Sequence, residues 1–174
     1  PPIVMFSANQ TTQGIRKDSV RNAEDTGEFV WNMATYDLRH AVNLTAEELP
    51  HGVDEFEHAK LQKLPSRKVK PMRVAGSPIQ FECVYLNTLR FPGEPPFGTA
   101  DVVFGKVVAI HIDDEMIDGK GMLDVLKMKP LARMGYYDYT YVDNKFEMII
   151  GGDNKALLAG LEGSPDKAKT AFGS

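Results

Sequence analysis

The chain has 174 residues, 43% of them hydrophobic, which suits one domain with a real core and argues against a disordered chain. Its net charge of -4, from 20 basic and 24 acidic residues, argues against a general nucleic-acid or membrane-surface binder, since those carry a basic excess. The single cysteine, Cys83, excludes an intrachain disulfide framework, and no apolar run approaches the roughly 20 residues that span a bilayer, so a soluble, cytoplasmic protein is expected.

Pro1-Pro2 leads straight into an apolar run without a methionine, and a preceding segment is therefore expected. Ile3 to Ala8 is short and β-compatible, and reads as a strand buried on both faces. A polar loop over 10–14 then delivers the chain to Arg16-Lys17-Asp18-Ser19-Val20-Arg21-Asn22. Two adjacent cations ahead of a helix, whose first turn offers unpaired N–H groups, suit a phosphate dianion. The same pattern also occurs in solvated surface loops. Asp18 is the expected N-cap of a helix running to Asp25, with Gly27 as its stop, because Asp accepts free N–H groups and Gly tolerates positive φ. Glu28 to Met33 is rich in β-formers and reads as the next strand.

Tyr36 to Val42 reads as a short helix, and Thr45-Ala46-Glu47-Glu48 has the spacing of a capping box. Another helical turn begins near Asp54. The stretch from Lys60 to Pro71 is polar and broken by prolines, so an exposed connection with Arg67, Lys68 and Lys70 in solvent is expected. Between Ile79 and Tyr85 the apolar positions Ile79, Phe81, Cys83 and Tyr85 alternate with Gln80, Glu82 and Val84, giving a strand with one core face and one partly wet face. After a turn-rich loop, Val102 to Ile112 is almost continuously apolar, as in a barrel strand or one between layers. Asp124 to Lys129 suits a helical turn, and Tyr139 to Val142 with Phe146 to Ile150 suggests a hairpin across Asp143-Asn144-Lys145. From Gly151 the composition shifts, with helices expected over 154–161 and from Ser164. The expected organisation is a mainly β domain with short helices over 1–150 and a helical tail over 151–174.

His51, Glu55 and His58 have metal-like spacing, but Gly52 and the helix start at Asp54 take His51 off the helix, so no metal is expected. Cys83 lies on the apolar face of its strand and reads as a packed core thiol. Trp31 and the tyrosines at 136, 137, 139 and 141 suit either core and interface packing or stacking on a planar ring.

Six stretches in order carry a family likeness. They are Lys17-Asp18-Ser19 with Asn22, Gly27-Glu28-Phe29-Val30 with Asn32, Gly52-Val53-Asp54-Glu55-Phe56-Glu57, Ser77-Pro78 with Glu82-Cys83, Gly105-Lys106-Val107-Val108 with His111, and Pro130-Leu131-Ala132-Arg133-Met134-Gly135 with Tyr139. Together they resemble the flavin reductase-like family, from about residue 3 to about residue 148. The resemblance implies a Greek-key-like split β-barrel of the FMN-binding type, a homodimer with FMN near the subunit interface, and hydride transfer from NADH or NADPH to flavin. An oxygenase is the further partner it implies, with no nucleic acid and no membrane. Position and chemistry suit Ser7 and Asn9 at the end of the first strand, and Arg16, Lys17, Ser19 and Asn22 beyond it, to that FMN cofactor, and the resemblance places Arg133 and Tyr139 on the nicotinamide or substrate side. His111 either lines that pocket or is a hydrogen-bonded structural histidine. No catalytic acid or base is assigned, since the cofactor itself carries the hydride.

Two departures accompany the likeness. In the family, strands and a flavin-contacting loop precede the segment that starts here at Pro1, so a barrel without its first strands is expected. Ile149-Ile150-Gly151-Gly152 also replaces the family's usual ending. Two alternatives therefore stand beside the reductase reading: a non-catalytic FMN-binding or dimeric interaction domain, and a pyridoxamine-phosphate-oxidase-like split barrel.

Overall fold

Side-chain alternation along the long strands decides which residues meet beneath the first helix. The computed structural model describes residues 1–10, 14–94 and 98–148, of which 1–143 form one unit. Strands β1 (Ile3–Asn9), β2 (Glu28–Asn32), β5 (Ile79–Phe91) and β6 (Ala100–Ile112) make an antiparallel sheet in the order β1-β6-β5-β2. Consecutive strands β2, β5 and β6 are neighbours while β1 returns beside β6, which is the expected Greek-key arrangement. The two-residue strands β3 (Lys63–Leu64) and β4 (Arg73–Val74) pair separately, as do β7 (Leu131–Gly135) and β8 (Asp138–Tyr141).

Helix α1 (Asp18–Thr26) connects β1 to β2 and lays Val20 and Ala23 on the sheet against Val103, with Phe6, Ala8, Phe29 and Tyr85 packed around them. Register puts Phe6 opposite Val103, and Cys83 opposite both Phe29 and Val107. The ring of Phe29 meets Phe6 edge-on at 5.3 Å and lies directly over Gly105, where an added Cβ would come within 2.4 Å of it. At its C-terminus α1 stops at Gly27, which is left-handed at φ 72 and donates its N–H to the carbonyl of Ala23. That ending follows the sequence expectation.

The helix start departs from it. Lys17, not Asp18, is the N-cap residue, and its side chain makes no capping hydrogen bond. β1 is an edge strand with Ile3 52% and Met5 67% exposed, rather than a strand buried on both faces. Helix α2 (Arg39–Leu44) begins three residues after Tyr36, because Thr35 bridges to Pro130 and the Tyr36 N–H donates to the carbonyl of Lys129. Thr45 ends α2 instead of opening a capping box, and its hydroxyl donates to the carbonyl of Val42 at 3.1 Å. Helix α3 (Glu55–His58) does start where expected, its first turn capped by Asp54, which accepts from the Phe56 N–H at 2.9 Å. Asp124 likewise caps α4 (Val125–Met128).

The 60–71 connection is more than a solvated loop. It buries Val69 and turns three successive N–H groups onto Glu82, so the Gln80 and Glu82 face of β5 is buried at that end. The C-terminal hairpin pairs β8 with the preceding β7 across Tyr136-Tyr137, and 143–148 carry no strand. Tyr136 at φ 50 beside Gly135 supplies the left-handed backbone that a tight hairpin turn needs, without an Asn-Gly signal in the sequence. The predicted closing strand at 149–150 and the helical tail over 151–174 lie outside the described residues. No helix among the described residues is long and apolar enough to cross a membrane.

Candidate functional site

The uncapped start of α1 opens into a cavity of about 780 Å³. Ser7 from β1, Arg16 and Lys17 from the preceding loop, Ser19 from the first helical turn and Arg133 from β7 all line it. Five predicted residues from three separate parts of the chain therefore meet. The Val20 and Arg21 N–H groups donate to the Lys17 carbonyl, and without a side-chain cap the Asp18 and Ser19 N–H groups remain as donors of the kind a phosphate accepts from.

The two adjacent cations have different fates. Arg16 pairs with Glu24 and lies 3.7 Å from Asp101, while Arg90 reaches the same two carboxylates at 3.1 and 2.6 Å. Asp101 is 1% exposed, so this four-residue network fastens α1 to β5 and β6. Burial pushes the Glu24 carboxyl up, but the hydrogen bond from Arg16 leads the opposing contributions, which leave it below the ordinary value. Lys17 instead meets one carboxylate, Glu48 at 3.4 Å, with both side chains partly in solvent. Its charge is the available one.

Asp18 turns to His51 at 2.8 Å and Arg21 at 3.6 Å, which explains why it does not cap the helix. His58 turns to Glu47 at 3.0 Å, so His51 and His58 do not converge. No metal-holding cluster of His, Cys, Asp or Glu occurs among the described residues. Glu55 lines the cavity opposite Lys17 and also an adjoining one of about 940 Å³. Burial, then the charge of Asp18, raises its carboxyl pKa, so it ionises less readily than a free glutamate.

Asn22 faces the adjoining cavity, which Ser19 shares, and Asn9 lines neither. Tyr139 stands beside the first cavity through Arg133, whose guanidinium lies 5.9 Å from its ring centre. His111 is elsewhere: on β6 it holds Glu82 through Nε2 at 2.5 Å. The backbone N–H groups of Arg67, Lys68 and Val69 also donate to that carboxylate. Burial pushes Glu82 up, but these hydrogen bonds win and hold its pKa at about 2. Cys83 beside it is fully buried, which pushes its thiol up to about 11 and makes it a core residue.

Sequence reasoning missed Glu48 and Glu55 as walls of the cavity. Glu55 stood inside the Gly52 to Glu57 stretch, so a signal existed for it; nothing in the sequence links Glu48 to Lys17, 31 positions away.

Comparison with known proteins adds to this geometry. The family model described as flavin reductase like domain matches residues 1–144. The chain belongs to that family. A protein of Aquifex aeolicus is 31% identical over 150 residues, covering 85% of this chain and 74% of its own length. Nitrilotriacetate monooxygenase component B from Bacillus cereus superposes with a TM-score of 0.77 at 30% identity, covering 85% of this chain and 72% of the other. The 2-nitrobenzoate 2-nitroreductase of Pseudomonas fluorescens, at 22% identity, shares the fold with a TM-score of 0.71 over 87% of this chain and 70% of its own. The mainly β sheet with its short helices is thus the split-barrel architecture of the flavin reductase-like family, as the sequence led us to expect.

Proposed function

We propose that this chain holds FMN with its phosphate at the start of α1 and serves as an oxidoreductase that takes hydride from NADH or NADPH. The observation that carries this reading is the convergence of Ser7, Lys17, Ser19 and Arg133 on one cavity at an uncapped helix start. Lys17 and the first-turn N–H groups bind the phosphate, with the Ser7 and Ser19 hydroxyls as further partners. Glu48 gives up Lys17 when the phosphate arrives. Arg16 acts through position, holding α1 on the sheet so that Lys17 and Ser19 stay in place. Asn9 and Asn22, at the margins of the cavity, serve the remainder of the cofactor.

Bound flavin supplies the hydride-accepting ring, so the side chains need only bind, orient and exclude water. Arg133 and Tyr139 form the nicotinamide side. His111 contributes at a distance by fixing Glu82. The exposed apolar residues Ile3 and Met5 of β1, with Leu89 and Phe91 of β5, support a homodimer through that sheet face. Likeness to a monooxygenase component supports an oxygenase as consumer of the reduced flavin.

The test is the visible spectrum of the protein mixed with FMN, dialysed, and then given NADH or NADPH under anaerobic conditions. A retained flavin band that bleaches is the expected result. Retention without bleaching by either nucleotide would leave a non-catalytic flavin-binding domain, and loss of the band on dialysis would sink the bound-cofactor reading.

A further inference from the structure

A second pocket, of about 360 Å³, lies between α2 and the β7–β8 hairpin and is walled by aromatic rings and one guanidinium, that of Arg39. Tyr36 and Tyr141 meet at 4.5 Å between ring centres, and the Arg39 guanidinium sits 4.0 Å from the centre of Tyr36. Tyr137, Tyr139 and His40 also line it, beside Val42 and Leu131, and among the described residues no carboxylate does. Arg39 donates one N–H to the carbonyl of Tyr36 at 2.7 Å and makes no ion pair among the described residues.

We propose that this pocket binds a planar aromatic carboxylate. Ring faces attract a flat π-system, and a guanidinium already laid on one of them offers a planar fork to a carboxylate. Charge and aromatic faces lie within the span of one substituted ring, whereas a nucleotide separates base from phosphate by a ribose. The volume stands near the lower end of the roughly 300–1,000 Å³ usual for small-molecule sites, which also favours a single ring. The walls are tied together by backbone: Tyr36 N–H to the Lys129 carbonyl at 2.9 Å, Leu131 N–H to the Ala34 carbonyl at 3.0 Å, and the Thr35 to Pro130 bridge. Such a site is held open in advance of its ligand. Tyr139, which lines this pocket, lies 5.9 Å from the guanidinium of Arg133, which lines the cavity at α1, so the two sites are linked through that pair.

Ligand-observed NMR titration of the whole chain, without FMN, tests the assignment with benzoate, benzamide, cyclohexanecarboxylate and AMP as probes. Benzoate should bind about tenfold more tightly than benzamide, which lacks the charge, and than cyclohexanecarboxylate, which lacks the flat ring. Arg39→Lys, which keeps the charge but loses the planar fork, should weaken benzoate about fivefold, and Tyr137→Ala about threefold. Tyr137 is 97% exposed, so its truncation leaves the fold intact. Absence of benzoate binding, equal binding of benzamide, displacement of bound benzoate by an equimolar amount of AMP, or unchanged benzoate affinity in both variants would overturn the proposal. Arg39 and Tyr137 line this pocket and not the cavity at α1, so the two variants report on it independently of the flavin assignment.

Discussion

Glu82 and Lys17 anchor two polar regions of opposite construction. Both oxygens of Glu82 are met, one by the Arg67 N–H and His111 and the other by the N–H groups of Lys68 and Val69, and the side chain is 0% exposed. Among the described residues Lys17 has one loose ion-pair partner, Glu48, on the rim of an open cavity at an uncapped helix start. A saturated buried cluster fixes a fold, because any change leaves a desolvated group without a partner. A cluster with donors left over keeps them available to a ligand from outside. The same contrast separates Arg16 from Lys17, although they are neighbours in sequence: one is spent on Glu24 and Asp101, the other is not.

The largest break in this comparison is Glu82→Ala. Three buried N–H groups and His111 would lose their acceptor, and a stability loss of about 3–5 kcal/mol is expected in urea denaturation. The FMN affinity of the folded protein should be unchanged. Acid probes the same group. Its folded pKa of about 2 lies below its ordinary value of 4.5, so its stabilisation is complete above pH 4.5 and is lost as pH falls towards 2. That contribution is on the order of 3 kcal/mol, and denaturation midpoints measured across this window should lose their steepest part in Glu82→Gln.

Next come the two cations. Lys17→Ala should weaken FMN binding by about 1.5–3 kcal/mol while stability stays within about 0.5 kcal/mol. Arg16→Ala should do the reverse, costing about 1–3 kcal/mol of stability, because Asp101 remains buried with only Arg90, and changing affinity by less than about threefold. Equal loss of affinity in both variants, measured by FMN fluorescence titration, would erase the distinction between them. The smallest effect is expected from Glu48→Gln. Freeing Lys17 from an exposed ion pair worth at most about 1 kcal/mol should tighten FMN binding up to about fivefold.

Much of this was legible in the chain. Alternation at Ile79 to Tyr85, the Gly27 stop and the helical turns at Asp54 and Asp124 are local signals, set by residues within one turn or strand of each other. The Lys17 and Ser19 cluster was also visible, through its place ahead of a helix. What sequence could not separate was Arg16 from Lys17, since the difference lies in Glu24 and in Asp101, a carboxylate brought from a strand 85 positions away. Glu82 failed for a related reason. An acidic residue at an alternate strand position reads as wet until the 65–74 segment is seen to lie over it. The hairpin was misplaced by one strand because its turn uses Tyr136 in a left-handed conformation, where Gly or Asn is the usual marker.

Cys83, on the β5 position opposite Phe29, has a consequence for how opening of the sheet can be followed. Its thiol is sealed and held to about 11, so an alkylating reagent at neutral pH meets neither access nor thiolate in the native chain. Modification then requires the packing around the β5 position shared by β2 and β6 to open, and the labelling rate of one sulfur becomes a clock for that excursion. As the chain carries no other cysteine, the readout is a single mass increment, with no second site to subtract.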